Sequence, residues 1–183
     1  MKVISEDIKK GEFKSVYLLY GAEEYLKKQY RDRLRNAIAG DDTMNYSYFD
    51  SDNASVKDII NVCETMPFFA EKRLVIMEDT GFLKSSNDEL ADYIKHIPDY
   101  LVIVMVEKVV DKRNKVYKAI DSVGYVCEMK PQTPATLEKW IAGLLAKDNL
   151  KISREACDLI LNKTGAGTVS YTHLRAHETL RHL

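Results

Sequence analysis

A chain of 183 residues, 45% hydrophobic and 30% charged, has the composition of a soluble globular protein and the length for one well-cored domain plus part of a second. With 27 basic against 28 acidic residues the net charge is -1, which excludes a polycationic nucleic-acid binder and leaves phosphate contact to a local patch or to neighbouring subunits. The apolar runs are too short to span a bilayer, "MKVISEDIKKG" lacks a signal peptide's apolar region, and Cys63, Cys127 and Cys157 form no CxxC; the expectation is a cytosolic chain with buried reduced thiols and no metal, cofactor or membrane partner.

Short apolar runs alternate with stretches of helical period. Val16 to Tyr20 ("VYLLY") is the first run, and after Gly21 a helix is predicted from about Glu23 to Ala39. A nucleotide-binding α/β domain carries its phosphate loop at this junction. There G-x-x-x-x-G-K-[ST] supplies backbone amides, a neutralising lysine and a hydroxyl for magnesium. Here Ala22, Glu23 and Glu24 follow Gly21, and carboxylates at a helix N-terminus satisfy its dipole and repel an anion. The junction has the position of a nucleotide site without its chemistry.

A weaker run, Asn45 to Phe49, precedes a helix over Val56 to Thr65, with Ser55 and Asp58 at capping-box spacing. The run Arg73 to Met77 continues into "IMED", where Glu78 and Asp79 sit like the acidic end of a Walker B strand; without a phosphate loop they are expected to be solvated carboxylates. Ser86 and Glu89 have the capping spacing for a helix over Asp88 to His96, and Leu101 to Val106 ("LVIVMV") is the fourth run. The sequence "VVDKRNKVYKAI" then predicts a helix over Lys112 to Asp121, before a last run from Gly124 to Cys127. On that helix Lys112, Lys115 and Lys118 fall within about a third of the circumference, with Arg113 alongside and Val116 and Ala119 facing inward. The cluster is either a solvated outer face or a set of phosphate contacts. Unbroken apolar runs fit strands covered on both faces. The prediction is therefore α/β: a doubly wound, mostly parallel five-stranded sheet ending near Met129.

Between the second helix and the third strand, "ETMPFFAEKRLVIMED" puts Pro67, Phe68 and Phe69 on a connection. Adjacent side chains on a turn point in different directions, so one core does not easily bury both. The rings are either a core plug or an anchor for a partner pocket, in which each contributes about 1.5 to 3 kcal/mol. Pro67 favours the anchor, because a stiff turn loses less entropy on docking.

After Met129, Pro131 ends the sheet pattern, and Thr133 as cap with Pro134 at the first helical position starts a helix through Trp140 to Ala146. A second helix from Ser153 carries Ile152, Ala156, Leu159 and Ile160 on an apolar stripe, which predicts a small, incomplete helical domain. The tail "VSYTHLRAHETLRHL" holds His173, His177 and His182, and His173 with His177 has the spacing of metal ligands on one helix face. The string "SYTHLRAHET" instead resembles a translated sequencing-adapter read-through. Residues 169–183 are accordingly set aside as non-native.

In this order and spacing, "VYLLYGAEEYL", "MNYSYFD", "ETMPFFAEKRLVIME", "VDKRNKVYKAI" and the "LEKW" helix resemble the bacterial DNA polymerase III delta subunit family, the clamp-loader component that opens the sliding clamp. The resemblance covers about Ile4 to Gly165. It implies an AAA+-like α/β domain over residues 1–130 with P-loop-type topology but no working ATP site, a partial helical lid over 131–168, and loss after about Gly167 of the collar domain that joins a pentameric loader. It further implies a subunit of the DNA-directed DNA polymerase holoenzyme with no catalysis of its own, ATP being hydrolysed by partner subunits. The family's clamp-contacting element falls on the helix-to-strand turn, where its hydrophobic pair matches Phe68 and Phe69, held out by Met66 and Pro67 to enter an apolar pocket on the clamp. The implied partners are the sliding clamp (beta subunit), gamma/tau and delta-prime type loader subunits, and primer-template DNA touched by Lys112, Arg113, Lys115 and Lys118. A degenerate P-loop-type NTPase and a stand-alone DNA-binding α/β domain are the alternatives.

Overall fold

Strands rich in β-branched and large apolar residues, with few polar interruptions, are stable only where both of their faces are covered. The computed structural model, which describes residues 1–53, 55–85, 87–131, 133–147, 150–157 and 159, provides that cover. Its strands are β1 (Val16–Tyr20), β2 (Tyr46–Phe49), β3 (Arg73–Glu78), β4 (Leu101–Glu107) and β5 (Tyr125–Glu128). All pair in parallel in the order β2-β3-β4-β1-β5, with Leu18 opposite both Met105 and Val126. Every residue of β1 and β4 is buried, whereas β2 and β5 at the edges keep partly open positions. The predicted α/β class and parallel sheet are thus those of the structure.

The crossovers are α2 (Glu24–Ile38), α3 (Val56–Cys63), α4 (Asp88–Ile94) and α5 (Lys115–Val123). Val16, Leu18, Val75, Met77, Ile103 and Met105 form the core on one sheet face with Ile59 and Cys63 of α3, Leu90 and Ile94 of α4, and Val116 and Ile120 of α5. Burial pushes the Cys63 thiol up to about 12, so it stays protonated and inert at neutral pH.

A helix that the sequence pattern did not announce, α1 (Lys2–Lys10), precedes the sheet. Its signal is short, with Ile4 and Asp7 buried, and it ends at Gly11, whose φ of 73° is the left-handed cap that glycine adopts without strain. A tertiary bond holds it. The buried Tyr17 hydroxyl donates to Asp7 Oδ2 at 2.8 Å and accepts from the Lys14 N–H at 2.9 Å, and burial raises the phenol's pKa well above its ordinary value. Tyr17→Phe leaves a carboxylate and an N–H without this partner and is expected to cost about 1 to 3 kcal/mol. A lower urea midpoint with an unchanged m-value is the check.

Two predicted helix starts are corrected. Ser55 is the N-cap of α3 but makes no side-chain cap bond, and α4 is capped by Asn87, which accepts from the Leu90 N–H, in place of Ser86, a residue outside those described. The basic helix is also shorter than predicted. Asn114 caps α5 by accepting from the Val116 N–H at 2.7 Å, while its own amide donates to Phe82 O and Ser85 O. An N-cap residue has non-helical backbone, so Lys112 and Arg113 lie in the preceding turn and not on the helix face.

Packing divides the chain into two units, Met1–Gly21 with Lys27–Met129, and Ala22–Leu26 with the residues from Lys130 onward. In the second, α6 (Pro134–Lys147) begins as predicted, Thr133 Oγ1 accepting from the Thr136 N–H at 3.3 Å. Its apolar cluster is Leu137, Ile141 and Cys157, with Ile152 and Leu145 packed against them. The stripe predicted for the second helix is therefore displaced: Cys157 is buried, while Ala156 and Leu159 are exposed. Ile160, the Trp140 side chain and the tail with His173, His177 and His182 lie outside what is described. Among the described residues no helix is long and apolar enough to cross a membrane.

Candidate functional site

The connection from α3 to β3 begins well anchored. Thr65 Oγ1 donates to Asn61 O at 3.1 Å, and the Tyr100 hydroxyl donates to Glu64 O at 3.1 Å. The chain then turns outward. Met66 is 72% exposed, Phe68 56% and Phe69 95%, with Pro67 half-buried beneath them. The two rings meet edge to face with centroids 4.4 Å apart, so neither plugs the core and the core-plug reading is set aside.

Phe69 has φ 51°, the left-handed region that costs a non-glycine residue free energy. The backbone beside it is clasped. Asn45, 1% exposed, accepts the Phe68 N–H on Oδ1 at 2.6 Å and donates from Nδ2 to Phe68 O at 2.8 Å. Nδ2 also donates to Asp42 Oδ2 at 2.6 Å, and Asp42 Oδ1 accepts from the Met44 and Asn45 N–H groups. These bonds, the Asn45 amide first, hold the Asp42 carboxyl below its usual range. Sequence reasoning singled out the rings but missed Asn45, which it treated as the start of a strand.

The nucleotide-like junction is closed at the backbone. Gly21 has φ 119°, and a Cβ there would lie 2.5 Å from Met129 O, while the Met129 N–H donates to Tyr20 O at 2.6 Å. Glu24 occupies the first turn of α2, so the predicted carboxylate stands where an anion would need positive potential. At the end of β3 the expected solvated carboxylates are instead engaged: Glu78 is ion-paired with Arg31 and accepts from the Tyr48 hydroxyl at 3.1 Å, and Asp79 pairs with Lys108 at 3.4 Å. Among the described residues no group of histidine, cysteine, aspartate or glutamate is placed to hold a metal.

Glu107, ending β4, is 1% exposed. Its Oε1 accepts from Thr80 Oγ1 at 3.0 Å and the Gly81 N–H at 3.1 Å, while Oε2 is buried without a hydrogen bond. Burial raises its pKa, against the lowering effect of the Thr80 and Gly81 bonds. Folded Glu107 holds its proton to higher pH than the unfolded chain does, so stability falls as pH rises from about 4.5 through the folded pKa. Glu107→Gln is expected to flatten that slope and to raise stability above the window, which denaturation measured across pH tests.

The basic cluster is dispersed and largely paired. Lys112 faces Glu128 at 3.7 Å and the Tyr20 ring at 5.8 Å, Arg113 forks onto Asp111 at 3.1 and 3.0 Å, and Lys115 binds Asp88 at 2.6 Å. Lys118 makes no ion pair among the described residues. With Lys115 it lines a cleft of about 360 Å³ between α4 and α5 that Asp88 and Asp92 also line, a mixed field unlike a phosphate track.

Residues 17–130, more than half of the chain and including the exposed turn and its clasp, match the family model described as DNA polymerase III, delta subunit. The chain belongs to the DNA polymerase III delta subunit family. The delta subunit of Bacillus subtilis (strain 168) is 30% identical to it in an alignment of 167 positions that covers 84% of this chain and 48% of that protein. The solved B. subtilis DNA clamp loader delta protein, YqeN, superposes with a TM-score of 0.74 at 27% identity, covering 93% of this chain and 54% of its own. This delta-family chain therefore spans about half the length of the relatives it matches. A RuvB variant of Thermotoga maritima shares the fold alone, with a TM-score of 0.55 at 14% identity over 93% of this chain and 56% of its own. The α/β fold with a parallel five-stranded sheet is thus the one expected.

Proposed function

We propose that this delta-family chain works by contact: Met66, Pro67, Phe68 and Phe69 insert into an apolar pocket on the sliding clamp and favour its open form, without ATP hydrolysis by this subunit. The observation that carries the reading is that both rings are exposed on a clasped backbone, with Phe69 in the left-handed region at φ 51°. A ring that is more stable closed opens only as far as its partner binds the open form more tightly. Two aromatic anchors supply affinity, and a rigid parallel sheet behind them resists following the closed interface.

In this reading residues 1–130 are the clamp-facing body, 131–168 a helical lid, and 169–183 take no part. The partners are the sliding clamp, gamma/tau and delta-prime type subunits, and primer-template DNA, all in the cytoplasm. DNA contact is the weaker element, because phosphates would have to displace Glu128 from Lys112, Asp111 from Arg113 and Asp88 from Lys115, leaving Lys118 the readiest. The deciding experiment is titration of a purified bacterial sliding clamp with the wild-type chain and with Phe68→Ala/Phe69→Ala. Equal affinities would remove the anchor.

A further inference from the structure

We infer that Asn45 is the positioning residue of the aromatic loop, presetting Phe68 and Phe69 for docking; the inference rests on the clamp-binding reading above. A side-chain amide that meets both the N–H and the C=O of one residue reproduces the bond pair of a strand neighbour. Asn45 does this across 23 positions of sequence, from a buried site. Its orientation is fixed. Asp42 Oδ2 as a carboxylate only accepts, so the atom facing it is the Nδ2 donor, and Oδ1 is left for the Phe68 N–H. The other end is rooted in the sheet, since Asn45 O accepts the Leu74 N–H at 2.8 Å and Tyr46 pairs with Leu74 in the β2-β3 ladder.

The chain of support thus runs from sheet to Asn45, from Asn45 to the Phe68 peptide, and from there to two rings that stay exposed. A loop already ordered before contact loses less entropy when it binds. The side-chain chemistry is also restrictive. Aspartate keeps the acceptor but has no donor for Phe68 O or Asp42, and alanine keeps neither.

Asn45→Ala is expected to fold, to exchange its Phe68 amide faster than wild type, and to bind a purified sliding clamp about tenfold more weakly. In a Phe69→Ala background the same substitution is expected to cost less than about threefold, because Asn45 acts through the rings. A defect confined to general stability would weaken binding equally in both backgrounds and would overturn the inference. So would an Asn45→Ala protein with a released Phe68 amide and wild-type affinity. If alanine prevents folding, Asn45→Asp applies the same test with the shape retained. Should wild type and Phe68→Ala/Phe69→Ala bind the clamp alike, the anchor itself fails and Asn45 loses its role with it.

Discussion

Replacing Phe68 and Phe69 together with alanine is expected to weaken binding to the sliding clamp by at least about a hundredfold while leaving the fold intact. Each ring withdrawn from a partner pocket forfeits about 1.5 to 3 kcal/mol, and every 1.4 kcal/mol is a factor of ten in affinity. The isolated chain has little to lose, since Phe69 is 95% exposed and Phe68 more than half exposed. Phe69→Gly separates the two effects further. At φ 51° glycine is unstrained, so this variant should gain roughly 1 kcal/mol of stability while losing affinity. Thermal melting and clamp titration on the same samples should therefore move in opposite directions. A residue kept for folding would move both the same way.

Gly124→Ala is expected to be among the most damaging single substitutions for the α/β body, although it adds one methyl group. A Cβ at Gly124 would lie 3.0 Å from the Val16 Cβ, 3.1 Å from Ile120 O and closer still to the Val16 carbonyl oxygen. Backbone on backbone has no rotamer through which to yield. Relief requires α5 or β5 to move away from β1, a strand buried along its whole length, at a cost of roughly 3 kcal/mol and a drop of about 6 to 12 °C in Tm. Circular dichroism melting checks this, with Val123→Ala, at a neighbouring exposed site, as the control.

Much of this architecture was legible because burial on both faces demands unbroken apolar runs; β1 begins and ends where "VYLLY" does. Helix α1 escaped notice because its stability comes from Tyr17 reaching back to Asp7, a bond that local periodicity does not encode. Lys112 and Arg113 were misplaced for a related reason: Asn114 is held by Phe82 O and Ser85 O, and that tertiary grip fixes where α5 starts. At the candidate site, two large side chains on one proline-stiffened turn left a core plug and an exposed anchor both open, and the family resemblance pointed to the anchor. The Asn45 clasp was not legible, because "MNYSYFD" shows only a polar residue before a strand and gives no sign of a partner 23 positions away.

The position of β1 in the sheet has a consequence for how the protein is made. It leaves the ribosome before both of its neighbours, β4 and β5, whose residues begin at Leu101 and Tyr125. At about 5 to 20 residues per second, the roughly 80 residues separating Tyr20 from Leu101 keep that strand unpaired for some 4 to 16 seconds of translation. Throughout that interval the nascent chain carries an apolar segment with both edges open, the kind of surface that chaperones shield during synthesis.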